Sequence, residues 1–249
     1  MRIEAGQTVF LTGASGGLGA FIARAFAKRK VNLALVAYPG TGLEALRDEV
    51  VALGVRADIW AADLRQPEAR RTAVEEVTRN LGPVDVLINN AGVEFCSPYH
   101  ELTEEQISEV IGVNLEAAML LTRLVLPGML ERRRGHIVNM SSLAGKSGPA
   151  FQEAYAATKA ALVGFTASLR ASYRDTGVSA SVIVPGFVEA GIYERLKAKS
   201  GVAAPFVLTG STPDQVAAAI LRAIDRNSAE IIVNRYPIRP MLALTAISP

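Results

Sequence analysis

The sequence predicts an α/β fold: a doubly wound, mostly parallel sheet with helices on both faces. Three observations carry that expectation. Short apolar runs alternate with stretches of helical periodicity from Thr8 to about Asn234, and such alternation specifies parallel strands joined by crossover helices. No composition break, repeat or low-complexity segment divides the 249 residues, so a single domain over 1–249 is expected. Half of the residues are hydrophobic and a fifth charged, the balance of a well-packed globular chain.

The elements follow in order. TVFLTG is a buried strand closed by glycine. TGASGGLGAFIARAFAKRK opens on a glycine-rich turn and continues as a helix, its apolar residues spaced for one face from Leu18 to Phe26. NLALVAY is a second strand, GLEALRDEVVALG a second helix, and RADIWAADL a third strand. PEARRTAVEEVTRNLG begins with Pro67 in the first helical turn, where a missing N–H costs nothing. VDVLINNAG runs from strand into turn. The stretch from Thr103 to Gly135 carries one or two helices, with Thr103 and Gln106 spaced as a capping box. GHIVNMSS is a strand ending in two hydroxyls, AYAATKAALVGFTASLRASYRDTG a helix, SASVIVPG a strand, TPDQVAAAILRAIDRN a helix and EIIVN a strand. Between Pro185 and Thr212 the rhythm fails, and residues 187–211 are expected to form a substrate-side loop or lid.

Several classes are disfavoured by composition. The formal net charge is +2, and no basic run exceeds Arg132–Arg134, so a dedicated nucleic-acid surface is not expected. One cysteine, Cys96, and two histidines, His100 and His136, argue against an internal disulfide and a metal centre. Neither a signal-peptide core nor an uninterrupted apolar run of ~20 residues is present. A cytoplasmic protein without a transmembrane segment is the expectation. His136 and Cys96 read as packing residues, His100 as a solvated loop residue, and Arg132–Arg134 as a helix end. The apolar tail RYPIRPMLALTAISP leaves open a longer helix, a subunit contact or a peripheral membrane contact.

Chemistry concentrates between Ser141 and Lys159. Tyr155 and Lys159 are four apart, one helical turn, and therefore share a face. Ser142, at the end of the preceding strand, can meet them in one cleft. A free phenol has a pKa of about 10 and is a poor acid or base at neutral pH. A neighbouring ammonium favours the phenolate, so Lys159 is expected to bring Tyr155 towards the working range. A Y-x-x-x-K pair alone is too short to decide this. The turn TGASGGLG, placed between the first strand and the first helix, adds a pyrophosphate-binding geometry: close backbone approach and a helix N-terminus.

Taken together, these motifs resemble the short-chain dehydrogenase/reductase family in its short, single-domain form. TGASGGLG matches the family's TGxxxGxG, residues 89–92 its NNAG turn, Asp63-Leu64 its adenine-contacting acidic dipeptide, and Pro185-Gly186 its PG turn. Asn114, Ser142, Tyr155 and Lys159 fall on its four catalytic positions. The resemblance implies a Rossmann-type three-layer sandwich and hydride transfer between a nicotinamide cofactor and a carbonyl or alcohol carbon. It implies Tyr155 as general acid/base and Ser142 as the group orienting the substrate oxygen. It further implies Lys159 on the nicotinamide ribose, and Asn114 holding a water of a proton relay. Cofactor contacts are implied for Thr12, Gly13, Ser15, Gly16, Gly17, Leu18, Gly19, Tyr38, Asp63, Leu64, Asn90, Ala91, Gly92, Tyr155, Lys159, Pro185, Gly186 and Val188. Homodimers or homotetramers are implied too, built on the helices around residues 106–121 and 155–172.

Two positions depart from the family pattern. Glu189, Ala190 and Gly191 stand where a carboxamide-binding Thr or Ser is common. Strand two ends in Ala37-Tyr38-Pro39-Gly40, with neither the carboxylate that selects NAD nor an arginine. The absent carboxylate favours NADP over NAD. Tyr38 is left to meet the phosphate or the adenine, and Arg65, beside Asp63, is a basic residue within reach. The substrate pocket is expected from 94–100, 147–152 and 187–206, and Phe95, Tyr99, Phe151, Phe187 and Tyr193 make an apolar small molecule the expected substrate. The rival readings are a non-catalytic dinucleotide-sensing or scaffold protein, and nucleotide-sugar epimerase or dehydratase chemistry. Intact catalytic positions oppose the first, and the lack of room for an extra substrate domain opposes the second.

Overall fold

A computed structural model describes residues 2–192 and 210–247. Seven strands form one sheet in the order β3-β2-β1-β4-β5-β6-β7, and every neighbouring pair is parallel. They are β1 Thr8–Thr12, β2 Asn32–Ala37, β3 Ala57–Ala61, β4 Val84–Asn89, β5 Gly135–Met140, β6 Val178–Pro185 and β7 Glu230–Val233. The helices are α1 Gly19–Ala27, α2 Glu44–Ala52, α3 Pro67–Leu81, α4 Glu104–Ile111, α5 Ala117–Glu131, α6 Ala144–Ser147, α7 Glu153–Ser172, α8 Pro213–Asp225 and α9 Arg239–Ile247. The "mostly parallel" expectation is thus sharpened to a wholly parallel sheet among the described residues.

Strand alternation builds the two faces. On β1, Val9 and Leu11 point to a layer with Ile22 and Phe26 of α1 and Val216, Ile220 and Ile224 of α8. Phe10, between them, points to the opposite layer with Val77 and Leu81 of α3 and Leu121, Val125 and Met129 of α5. Truncating the fully buried Phe10 to alanine would cost roughly 3–5 kcal/mol. Strand order reverses between β1 and β4, and at such a switch the carboxyl ends of the strands leave a crevice for a ligand.

The stretch from Thr103 to Glu131 resolves the one-or-two-helix question. Thr103 and Gln106 form the expected capping box on α4, and a π-helical turn over Gly112–Glu116 joins α4 to α5. The continuous helix Glu104–Glu131 is long and apolar enough to cross a membrane, but half of its apolar window is buried inside the fold, as in a core helix.

His136 is fully buried, with Nε2 2.8 Å from Ser181 Oγ. Burial pushes its imidazole down to about 3, so it is neutral and structural, as the sequence suggested. The tail forms α9. Ile238 and Leu242 pack on Leu143, Val182 and Val184, and Glu230 bridges Lys146 and Arg239 at 2.6 and 3.4 Å. The tail thereby braces α6, an element too short to leave a periodic signal.

Candidate active site

The glycine turn after β1 is shaped by close backbone approach. Gly13 has φ +64°, and a Cβ there would lie 2.8 Å from Ala91 Cα. Beside it, Thr12 Oγ1 accepts from the amides of Asn90 and Ala91 at 2.9 and 3.0 Å and donates to the Ile88 carbonyl. Asn90 Nδ2 returns bonds to the carbonyls of Thr12 and Gly13 at 3.0 and 3.1 Å. The glycine turn and the NNAG turn are therefore one unit. A Cβ on Gly17 would meet Gly191 N at 2.3 Å, which brings the loop after β6 down onto the same turn.

A cavity of about 660 Å³ runs along the strand ends, within the range of ligand sites. Of the residues expected to bind cofactor, Gly13, Ser15–Leu18, Tyr38, Asp63, Leu64, Asn90–Gly92, Tyr155, Lys159, Pro185, Gly186 and Val188 line it. Thr12 and Gly19 do not. Thr12 is 1 % exposed and spends its hydroxyl inward. Gly19 packs on the carbonyls of Gly13 and Ala14, where a Cβ would come within 2.4 and 2.5 Å. Both shape the wall from behind it.

The catalytic end is assembled by β5, α6 and α7. Ser141 Oγ donates to the Lys159 carbonyl at 2.7 Å, and a Cβ on Gly145 would stand 2.5 Å from the Lys159 carbonyl carbon. These two residues, which sequence reasoning passed over, clamp the strand end to α7. The clamp sets Ser142, Tyr155 and Lys159 on one wall of the cavity. Ser142 Oγ also accepts from the Ala144 amide at 3.2 Å.

Lys159 is 3 % exposed and donates to the Met140 carbonyl at 2.9 Å. Burial pushes its ammonium down to about 8, against an opposing pull from Glu94. Burial pushes the Tyr155 phenol up to about 12; Ser142 draws it down and Glu94 pushes it further up. The lowering expected from Lys159 is not found in the free protein: desolvation penalises the phenolate, the Ser142 hydrogen bond relieves only part of that, and Glu94 adds to it.

Asn114 sits in the π turn and does not face the cavity. Its Oδ1 accepts from the Val93 amide at 2.8 Å, and its Nδ2 donates to the Val93 carbonyl at 3.0 Å and to Thr158 Oγ1 at 3.4 Å. Its side chain is committed to tying the NNAG loop to α7.

Glu94 opens the 94–100 segment that the sequence assigned to the substrate pocket, but no residue of that segment, Phe95 included, lines the cavity. The Glu94 carboxylate accepts from the Cys96 amide at 2.7 Å, Oε2 is buried without a partner, and burial raises it above the ordinary carboxylate range. Of the aromatics expected in the pocket, Phe187 lines it, whereas Tyr99 and Phe151 are half-exposed and stand away from it. Tyr193 and most of the 187–211 loop lie outside the described residues. Among the described residues, no group of three His, Cys, Asp or Glu converges to hold a metal ion.

A glycine cradle at a strand–helix turn, open along a cavity that Ser142, Tyr155 and Lys159 also line, fits a dinucleotide. The fold and site define a dinucleotide-dependent α/β oxidoreductase. Residues 7–201 match the short chain dehydrogenase family model. The chain is 41% identical to the ketoacyl reductase HetN of Nostoc sp., over 100% of this chain and 88% of that protein. It is 33% identical to the 3-oxoacyl-[acyl-carrier-protein] reductase FabG of Vibrio cholerae, over 79% of each. A metagenomic short-chain oxidoreductase solved with NADP superposes with a TM-score of 0.79 at 32% identity, covering 94% of this chain and 98% of that one. A putative NAD(P) dependent gluconate 5-dehydrogenase from Beutenbergia cavernae, with bound NADP, gives 0.84 at 29%, with the same coverage. The chain belongs to the short-chain dehydrogenase family. It is an NAD(P)-dependent oxidoreductase, and its cofactor is NADP or NAD.

Proposed function

We propose that the protein reduces the carbonyl, or oxidises the corresponding alcohol, of an apolar small molecule, with Tyr155 as the general acid/base. The observation that carries this reading is the shared wall of Ser142, Tyr155 and Lys159 at one end of the cavity. When bound, the nicotinamide supplies or accepts the hydride. Ser142 Oγ holds the substrate oxygen. Tyr155, neutral at pH 7 because burial raises its phenol, hands that oxygen a proton in the reductive direction. The Lys159 ammonium holds the ribose and steadies the phenolate left behind. Asn114 keeps the Val93 loop and α7 in register.

The apolar substrate is supported by Leu143, Ala144, Pro149, Phe187 and Ile192 in the cavity wall, and by the acyl substrates named for HetN and FabG. NADP is favoured over NAD, since β2 ends without a carboxylate to repel a 2′-phosphate. The single sheet supports one domain over 1–249, with 187–211 as its substrate-side loop. Ile111 and Met119 on the α4–α5 helix are exposed, and α7 offers a bare face at Ala157, Ala160 and Gly164. Both support a homodimer or homotetramer, and the cytoplasm is the proposed location. The test is a panel of ketones, aldehydes and alcohols with both cofactors, followed by nicotinamide absorbance. Turnover of apolar carbonyls is expected; turnover confined to sugars or charged substrates overturns the substrate class.

A further inference from the structure

Among the described residues, the cavity wall carries two basic side chains, Lys159 and Arg65, the second paired with Asp63 and within electrostatic reach of Tyr38. Lys159 is buried and committed to the Met140 carbonyl. Arg65 is held differently. Its Nε and Nη2 donate to the Asp63 carboxylate at 3.0 and 2.8 Å, its own amide adds a third bond at 3.0 Å, and its stem lies against Gly112. The guanidinium is therefore fixed in place before any ligand arrives, yet far from exhausted. Of its five N–H donors, Asp63 takes one on Nε and one on Nη2, which leaves three. Nη1 stands 4.0 Å from Glu109 Oε2, beyond hydrogen-bond reach.

We propose that Arg65 recognises the 2′-phosphate of NADP, and that Glu109 weakens that recognition. The proposal rests on the NADP preference stated above. A planar guanidinium with free donors on one edge suits a phosphate. The end of β2, the usual source of the discriminating group, offers only Ala37 and Tyr38. Cofactor choice is thereby moved from β2 to the residue after the Asp63-Leu64 pair. The Glu109 carboxylate, also on the wall, opposes the same anion, so the preference for NADP is modest.

The test is calorimetric titration of the full chain with 2′,5′-ADP and 5′-ADP, two probes that differ only in the 2′-phosphate. The unaltered protein is expected to bind 2′,5′-ADP more tightly; equal or reversed binding overturns the NADP reading, and with it the role of Arg65. Arg65→Ala is expected to lose about 10- to 100-fold towards 2′,5′-ADP and little towards 5′-ADP, as removal of a charge-assisted contact would. Arg65→Lys should fall between. Glu109→Gln should tighten 2′,5′-ADP alone. If the unaltered protein prefers 2′,5′-ADP while Arg65→Ala keeps that preference, or weakens both probes equally, Arg65 is not the phosphate ligand. Should Arg65→Ala fail to fold, Arg65→Gln, which keeps most of the stem and removes the charge, is measured in its place, and unchanged selectivity there overturns the assignment; unchanged selectivity in Glu109→Gln overturns the opposing role of Glu109.

Discussion

Lys159 Nζ lies 5.3 Å from the centre of the Tyr155 ring and donates to the Met140 carbonyl rather than to the phenol oxygen. The two side chains are thus neighbours, ammonium against ring, without a direct hydrogen bond. Tyr155→Phe keeps the ring and removes the proton. Turnover should fall by about 100- to 10,000-fold with cofactor affinity nearly unchanged; near-normal turnover would remove Tyr155 as the acid/base. Lys159→Met, which keeps the volume, should lower both turnover and cofactor affinity. Untouched cofactor binding would end the ribose assignment.

The same pair sets a pH profile. The phenol, pushed up to about 12, stays protonated throughout the neutral range, whereas the ammonium, pushed down to about 8, does not. Below pH 8 both groups hold their protons, so reductive kcat/KM should be level there. Above pH 8 Lys159 loses its charge and the value should decline. A reductive rate that climbs steadily from pH 7 to 9 would contradict this ordering.

Gly17→Ala tests the contact between the glycine turn and the loop after β6. The new Cβ would fall 2.3 Å from Gly191 N and 2.5 Å from Gly191 Cα, both backbone atoms that cannot rotate away. The loop must move, and cofactor affinity should drop by about tenfold or more, since ~1.4 kcal/mol suffices. Equal affinity by titration would mean that the loop carries no part of the cofactor site.

Ala37→Asp tests the reading of β2. Ala37 is 3 % exposed, ends the strand and touches the cavity. A carboxylate there would repel a 2′-phosphate and accept from a ribose hydroxyl. The ratio of NAD to NADP affinity should rise by about tenfold or more. No swing towards NAD would show that the end of β2 does not discriminate.

Gly164→Arg tests assembly. A Cβ on Gly164 meets nothing within 4 Å, so the protomer should fold normally. Arginine also suits a helix better than glycine. Light scattering should show a multimer for the unaltered protein and a smaller mass for the variant. A one-chain mass for the unaltered protein at micromolar concentration would end the oligomer proposal.

Much of this protein was legible in its residues because short-range chemistry dictated them. Short apolar runs placed all seven strands and the 3.6-residue period the long helices, Thr103 with Gln106 announced a capping box, and Pro67 opened α3. The family motifs brought Ser142, Tyr155 and Lys159 to one wall. What the sequence could not reveal depends on residues far apart in the chain meeting in space. Ser141 and Gly145 clamp α7, Gly191 rests on Gly17, and Asn114 spends its amide on Val93. None of these has a periodic or motif signature. The direction of the Tyr155 shift belongs to the same class. Spacing predicted a lysine nearby and hence a lowered phenol, but desolvation depends on how many atoms surround a group, and only the folded chain sets that number.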